Sequence, residues 1–190
     1  MIDKHLIETV KSVLLLSRGQ LLRRRVLNTL KSVESRFVLV SDTSLIAPLV
    51  AYLQEQMGMM RLFDEMQLTQ IGVAVHESLT NAIYHGNLEL DSELRQEDES
   101  AFYRLAKERL QETRFAARRV HLAATLSAAE LRIVISDEGP GFKPSELRDP
   151  TDKINMDRIG GRGLLLIRSF MDEVSHSQQG NEITLVKRAS

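Results

Sequence analysis

The sequence contains no cysteine and no tryptophan, and only four of its 190 residues are proline. The lack of cysteine excludes disulfide bonds, thiolate metal sites and cysteine nucleophiles, and it allows a cytoplasmic location. The sequence also lacks an apolar run of about 18 residues and an N-terminal signal-peptide pattern. We therefore expect a soluble, cytoplasmic protein with no membrane partner.

The sequence also lacks an excess of positive or negative charge, since its formal net charge is −1. A nearly neutral chain has no overall field that would draw it to nucleic acid. We therefore interpret the basic run at residues 23–25 as a solvated helix face, and we expect no nucleic-acid partner. With 43% hydrophobic and 27% charged residues, the composition is that of an ordinary globular domain.

The spacing of apolar residues predicts an α+β fold. Helical spacing predicts helices over residues 3–33, 45–57, 68–85 and 164–171. Alternation predicts strands over residues 36–41, 120–126, 131–136 and 182–187. Because the closing strands mostly follow one another, we expect a two-layer α/β sandwich. Its mixed, mostly antiparallel sheet would carry helices on one face.

Three segments stand outside this core pattern. Residues 1–34 form an N-terminal unit whose apolar-striped helix, about 45 Å long, is too long to bury wholly on a small domain. We expect it to be a connector or a dimerisation element, and folding back over the open sheet face is the alternative. Within the domain of residues 35–190, the charged stretch 90–118 predicts a helical insertion. Residues 139–161 contain three prolines and predict a loop.

Three polar side chains share one face of the helix predicted over residues 68–85. Glu77, Asn81 and His85 follow each other at intervals of four, so they form one stripe opposite the apolar arc. Such a stripe is either a solvated face or the lining of a site. The helix alone does not decide between the two.

A second pattern, Asp137-Glu-Gly139-Pro-Gly141, ends an alternating strand. An aspartate at a strand end can accept a hydrogen bond from an exocyclic amine such as that of adenine. Glycines directly after it let the backbone approach a flat ring. The alternative is a plain turn, because aspartate, glycine and proline are common turn residues.

A third pattern is the glycine-rich segment of residues 160–163, which leads into the helix predicted from Leu164. Glycines that open a helix leave free N–H groups at the positive end of its dipole, which is a natural phosphate site. The segment lacks Gly-Lys-Ser/Thr and is not a P-loop. A flexible connector is the alternative.

Together and in this order, the three patterns resemble the N, G1 and G2 boxes of the GHKL (Bergerat-fold) ATPases. The matching residues are Glu77, Asn81, Ala82, His85, Gly86, Asp137, Gly139, Gly141, Gly161, Gly163 and Leu164, and the resemblance also includes Thr184. Within that superfamily the chain is similar to the anti-sigma-factor serine/threonine kinases of bacterial partner-switching systems. The resemblance covers residues 36–188 apart from the insertion, and it implies a Bergerat-type ATP-binding fold.

The resemblance also implies roles for these residues, with ATP and Mg²⁺ as ligands. Asn81 would be the metal ligand and Glu77 the catalytic base. Asp137 would accept a hydrogen bond from the adenine amine, and residues 142–160 would form a lid. The other ATP-binding residues that the resemblance implies are Gly139, Gly141, Gly161, Arg162, Gly163, Leu164 and Thr184.

The implied function is a serine/threonine protein kinase that phosphorylates a small anti-sigma-factor antagonist, with a sigma factor as a second partner. One alternative is a non-catalytic module that binds a partner in an ATP-dependent way. Another is the output domain of a two-component response regulator, with a receiver domain adjoining the N-terminal helix. Glu77 favours the kinase, because pure binding needs no base. A sensor histidine kinase is disfavoured, since no phosphoacceptor-histidine box precedes the ATPase part.

Overall fold

A computed structural model describes residues 22, 25, 26, 29–142 and 159–189 of the chain. The chain divides after Lys31, and the unit of residues 32–190 carries the sheet. Most of the helix predicted over residues 3–33 lies outside the described residues, as does most of the predicted lid. In the described part of the chain, no helix is long and apolar enough to cross a membrane.

The core of this unit is a five-stranded sheet. Its strands are β1 (Ser32–Val40), β2 (Arg119–Ser127), β3 (Glu130–Asp137), β4 (Glu173–His176) and β5 (Glu182–Arg188). They lie in the order β1-β2-β3-β5-β4, and each of the four neighbouring pairs is antiparallel. The predicted α+β class with a mostly antiparallel sheet is therefore confirmed.

Six α-helices accompany the sheet in the described residues. They are α1 (Ile46–Met60), α2 (Glu65–Asn81), α3 (Ser92–Glu97), α4 (Glu99–Arg109), α5 (Thr113–Ala116) and α6 (Ile159–Phe170). A short 3-10 turn, Thr43–Leu45, precedes α1, and a π-helix, Ala82–Asn87, continues α2. Three of these helices, α3 to α5, occupy the stretch predicted as a helical insertion.

The helices cover one face of the sheet. Along β2 and β3 every second residue is buried, and the residues between them are half-buried or exposed. The buried side chains of the strands meet those of α1, α2 and α6 in one cluster, which includes Ile46, Leu49, Ile71, Val75, Leu79, Leu122, Ile133, Ile135, Ile167 and Leu185. This arrangement is the predicted two-layer sandwich, and removal of this apolar area from water is its main source of stability.

Several boundaries differ from the predicted ones. Strand β1 begins at Ser32, because residues 32–40 pair in continuous register with β2, so the predicted N-terminal helix does not extend to residue 33. Helix α2 begins at Glu65 and not at residue 68, since Asp64 and Gln67 form a capping box there. The four-residue edge strand β4 was not predicted, because a strand this short carries too few alternations to be recognised.

The capping box at the start of α2 gives a stability prediction. The Gln67 N–H donates to Asp64 Oδ1 over 2.7 Å, and the Asp64 N–H donates to Gln67 Oε1 over 3.0 Å. Replacement Asp64→Ala removes the side-chain cap and is expected to lower the free energy of unfolding by about 1 kcal/mol. Urea denaturation measures the change, with Asp64→Asn as the control that retains an acceptor. Equal stability of the two variants would contradict the prediction.

Candidate functional site

A cavity of about 410 Å³ opens where the end of α2 meets the ends of β3 and β5. Its wall includes residues of α2 and the π-helix, of the insertion, of the turn after β3, of α6 and of β4. The lining residues are Ser78, Asn81, Ala82, His85, Gly86, Leu90, Asp91, Ser92, Ile135, Asp137, Gly141, Phe142, Leu164, His176, Gly180, Asn181, Glu182 and Ile183. Cavities of this size hold ligands such as nucleotides.

The polar stripe of α2 lies along one side of this cavity. Asn81 and His85 line the cavity, and Glu77 lies one turn earlier on the same helix. Glu77 faces α6, because a Cβ atom added to Gly163 would lie 2.8 Å from Glu77 Oε2 and 3.9 Å from Asn81 Nδ2. His85 has a structural contact, since its Nδ1 lies 2.6 Å from the carbonyl oxygen of Leu90. The structure therefore brings Glu77, Asn81 and Gly163 together.

Asp137 lies at the end of β3, with its carboxylate in the cavity wall. Its Oδ1 accepts a hydrogen bond from the Gly139 N–H over 2.9 Å. Burial raises the pKa of Asp137 to about 6, against the opposing effects of the Gly139 N–H and the positive charge of Arg118. A carboxylate with one of its acceptor sites used by the backbone retains others for a donor such as the amine of adenine.

Three positions at this wall have room only for glycine. A Cβ atom on Gly86 would lie 2.3 to 2.5 Å from three atoms of the Asp137 carboxylate. One on Gly139 would lie 2.2 Å from the carbonyl oxygen of Gly86. Gly141 combines a φ of +71° with a position whose Cβ would lie 2.1 Å from the carbonyl oxygen of Gln179. The backbone of the turn after β3 therefore packs so tightly against neighbouring atoms that side chains do not fit, which an ordinary turn does not require.

Thr184 is not brought to the cavity. It pairs with Val134 of β3 and Ser175 of β4, on the sheet face opposite to Leu185, which is buried against the helices. The side chain that supports Asp137 is that of Asn181, the residue just before β5, and no sequence pattern indicated it. Its Nδ2 donates to the carbonyl oxygen of Asp137 over 3.1 Å, and its own carbonyl accepts from the Asp137 N–H over 2.9 Å.

The glycine-rich segment differs from its prediction in local structure. Gly161, Arg162 and Gly163 lie within α6, which begins at Ile159 and not at Leu164. Leu164 lines the cavity, and the side chain of Arg162 lies outside the described residues. The N–H groups in the first turn of a helix have no partner within the helix, and the Gly161 N–H is one of them. The Gly163 N–H comes after this turn, where N–H groups bond within the helix. Gly163 serves close packing on Glu77 in this arrangement.

Two aromatic rings at the cavity were also missed. Phe142 follows the last glycine of the turn, and its ring lies edge-on to that of His176 on β4, with 5.4 Å between the ring centroids. Burial, and then the nearby charge of Arg168, lowers the pKa of His176, so the imidazole is neutral at pH 7. Neither residue belongs to a polar pattern, and His176 lies on the strand that the sequence did not predict.

The residues present fit adenosine triphosphate and a magnesium ion. The cavity offers an acceptor in Asp137, a wall of backbone without side chains, and apolar contacts from Ile135, Leu164 and Ile183. Among the described residues, no group of three or more His, Asp or Glu side chains is placed to hold a metal. Asn81, which lines the cavity, has a side-chain amide oxygen, and an oxygen of this kind could serve Mg²⁺ beside phosphate oxygens and water.

Comparison with known proteins agrees with this geometry. The family model of the histidine kinase-like ATPase domain matches residues 39–187. The chain belongs to this family. The chain is also 32% identical to the anti-sigma F factor of Bacillus cytotoxicus over 130 residues, which are 65% of this chain and 71% of that one. It is 29% identical to the anti-sigma F factor of Oceanobacillus iheyensis, again over 130 residues that are 65% of this chain and 71% of that one.

A solved structure of the RsbU and RsbW domains of Rv1364c from Mycobacterium tuberculosis is similar at 14% identity, with a TM-score of 0.48. The match covers 83% of this chain and only 32% of that one, so the present chain spans about a third of the solved protein. As a member of the histidine kinase-like ATPase family, the chain carries an ATP-binding domain, and its resemblance to GHKL anti-sigma kinases is confirmed.

The contact between Gly86 and Asp137 gives a testable prediction. Replacement Gly86→Ala is expected to displace the Asp137 carboxylate and to weaken ADP binding at least about tenfold, because the added methyl group overlaps the carboxylate. Gly58→Ala is the matched control. No atom lies within 4 Å of a Cβ there, so it is expected to stabilise α1 by about 0.5–1 kcal/mol with ADP affinity unchanged. Calorimetry and thermal unfolding measure both quantities. Unaltered ADP affinity in Gly86→Ala would contradict this account of the contact.

The raised pKa of Asp137 predicts a pH dependence of nucleotide affinity. Asp137 is ionised above pH 6 and accepts hydrogen bonds best in that form. Affinity for ADP is therefore expected to fall as the pH is lowered through about 6, and to be roughly tenfold weaker at pH 5 than at pH 7.5. The Asp137→Asn variant should bind weakly with little dependence on pH in this range. If Asp137→Asn shows the wild-type pH profile, the titrating group is another one.

Proposed function

We propose that this chain is an ATP- and Mg²⁺-dependent serine/threonine protein kinase that phosphorylates a small antagonist protein in a bacterial signalling switch. The observation that carries the proposal is the position of Glu77. It lies one helical turn from Asn81, and Asn81 lines the same cavity as Asp137. A binding module needs an acceptor for adenine and a place for phosphates, but it does not need a carboxylate beside the metal ligand.

Each binding residue has a distinct task in this proposal. Asp137 accepts from the exocyclic amine of adenine, while Gly139 and Gly141 allow the ring to approach the backbone. The side-chain oxygen of Asn81 is a ligand for Mg²⁺, and Gly161 and Arg162 act on the phosphates from the start of α6. When bound, Mg²⁺ neutralises charge on the phosphate oxygens, which is a main requirement of phosphoryl transfer.

Glu77 is the proposed general base. It takes the proton of the acceptor hydroxyl as the oxygen of that hydroxyl forms a bond to the γ-phosphorus. The bond between the γ-phosphorus and its bridging oxygen to the β-phosphate breaks, and ADP leaves. The products are the phosphorylated serine or threonine, ADP and a protonated Glu77, which returns its proton to solvent.

The proposed partners follow from the relatives. The anti-sigma F factors are named for opposing a sigma factor, and this chain is similar to them along most of their length. We therefore propose an antagonist protein as the phosphate acceptor and a sigma factor as a second partner. The N-terminal residues, which are proposed to join a second copy or a receiver domain, lie mostly outside the described residues.

One observation favours the alternative of a non-catalytic, ATP-dependent binding module. The backbone of α6 at Gly163 lies so near Glu77 that even a Cβ atom would be 2.8 Å from Oε2. An acceptor hydroxyl can reach this oxygen only after the Glu77 side chain turns or α6 shifts. A chain in which α6 and Glu77 keep these positions with nucleotide bound would hold its partner without phosphorylating it.

Replacement of Glu77 distinguishes the two functions. Glu77→Gln is expected to reduce phosphotransfer by about two to four orders of magnitude, while the affinity for ATP stays nearly unchanged, because only the base is lost. Transfer of labelled γ-phosphate to the antagonist protein encoded nearest its gene measures the rate, and calorimetry measures affinity. Glu65→Gln is the matched control, an exposed glutamate of the same helix far from the cavity.

Three outcomes separate the possibilities. An equal loss of affinity and transfer in Glu77→Gln would identify Glu77 as a residue that organises the ligand. Full transfer by this variant would exclude the role of base. Wild-type protein that binds ATP tightly but transfers no phosphate to the antagonist would support the binding module.

A further inference from the structure

The end of helix α2 is fastened to the turn after β3 by one buried side chain. Asn87, the last residue of the π-helix, is fully buried. Its Oδ1 accepts from the Glu138 N–H over 2.9 Å, and its Nδ2 donates to Ser41 Oγ over 3.1 Å. Glu138 follows Asp137 directly, so Asn87 holds the residue next to the carboxylate and ties it to the end of β1.

The helical insertion holds Asn87 from the other side. Arg118, at the end of the insertion, donates from Nη1 to the carbonyl oxygen of Asn87 and from Nη2 to Glu89 Oε1, both over 2.7 Å. Arg109 of α4 donates to the carbonyl oxygens of Leu88 and, over 2.6 Å, of Glu89. Two guanidinium groups thus satisfy three carbonyls at and just after the end of the helix, where partners within the helix are lacking.

A buried aromatic ring aligns these arginines. Phe115 of α5 is fully buried, and the guanidinium carbons of Arg109 and Arg118 lie 5.1 and 5.2 Å from its ring centroid. Arg114 lies over the same ring at 4.3 Å, but its side chain is 70% exposed and pairs with Glu112 of the insertion. Arg114 therefore shares the aromatic contact of Arg118 without its contacts to the π-helix, which makes it a natural control.

Arg118 also acts on Asp137 through its charge. Its side chain is only 22% exposed, so solvent screens this charge less than that of Arg114. The other titratable groups that line the cavity are His85, Asp91, His176 and Glu182. Among the charged side chains that the structure describes, the positive charge of Arg118 lowers the pKa of Asp137, in the direction opposite to burial.

We propose that the helical insertion is a positioning element for adenine recognition, in which Arg118 and Asn87 hold the Asp137–Gly139 turn in its binding geometry. The inference rests on the proposed role of Asp137 in nucleotide binding. It assigns Arg118 as a positioning residue, because it acts on the ligand through Asp137 and Asn87. It also explains why the charged insertion packs two arginines against the end of the π-helix that lines the cavity.

The test compares Arg118→Gln with Arg114→Gln in the full chain. In the nucleotide-free protein, nuclear magnetic resonance follows the Gly139 amide, which donates to the Asp137 carboxylate, as a function of pH. The titration midpoint is expected near pH 6 in the wild type and in Arg114→Gln. It is expected to rise by about one unit in Arg118→Gln, because a nearby positive charge is lost. Affinity for ADP at pH 7.5, measured by calorimetry, should fall about tenfold in Arg118→Gln alone.

Two further variants separate charge from geometry. Arg118→Lys keeps the charge without the two-armed contact, so its titration midpoint is expected to stay near that of the wild type while part of the ADP affinity is lost. Asn87→Ala leaves the buried Glu138 N–H without its partner and is expected to weaken ADP binding more than tenfold with Arg118 intact. If Asn87→Ala does not fold, the Arg118 variants decide.

The outcomes distinguish this inference from the proposed function. An unchanged midpoint and unchanged ADP affinity in Arg118→Gln would overturn the positioning role while leaving nucleotide binding intact. Equal effects of Arg118→Gln and Arg114→Gln would reduce both residues to general stabilisers of the insertion. Wild-type protein that binds no ADP would refute the proposed function, and the titration of the nucleotide-free protein would still decide whether Arg118 controls Asp137.

Discussion

The close packing of Gly86 against the Asp137 carboxylate is the contact on which the shape of the cavity depends. Gly86 belongs to the π-helix at the end of α2, and Asp137 ends the central strand β3, so the contact joins the two layers of the fold at one point. A side chain at Gly86 has no room. The π-helix contributes to this approach, because its wider turn displaces the backbone from the regular α-helical path.

Placing a carboxylate at such a contact has an electrostatic cost. Burial raises the pKa of Asp137, and the fold counters this with the Gly139 N–H and the charge of Arg118. Arg118 comes from the helical insertion, and Gly139 comes from the turn itself. The ionised state of Asp137, which the proposed contact with adenine requires, therefore depends on groups from both the core domain and the insertion.

Motifs whose residues lie close together in the sequence could be predicted from the sequence alone. The interval of four between Glu77, Asn81 and His85 places them on one helical face whatever the tertiary structure. The Asp-x-Gly-x-Gly pattern predicted a turn whose backbone approaches other groups too closely for side chains. The position of Thr184 was harder to predict from the sequence. The face on which a strand residue lies depends on the strand register, and a shift by one residue reverses it. Leu185 belongs to the core cluster, so Thr184 lies on the opposite face of the sheet.

Other features depended on partners distant in sequence. Asn87 contacts Ser41 and Glu138, which are 46 and 51 residues away, and no local pattern marks such a residue. Arginine and asparagine usually lie on the surface, so the residue types of Arg118 and Asn181 do not indicate their contacts. These contacts form only when the insertion and β5 are in place. The start of α6 at Ile159 also escaped prediction, because glycines lower helix propensity and tertiary packing overrides it.

The sequence by itself determined the α+β class, the polar face of α2, the glycine turn after β3 and the family resemblance, because each rests on residue types at short, fixed intervals. Tertiary structure alone decided that Asn181 supports Asp137, how near α6 lies to Glu77 and what the insertion contacts. These depend on distances between segments far apart in the chain. Such distances are set by the packing of the whole core and not by any one stretch of sequence.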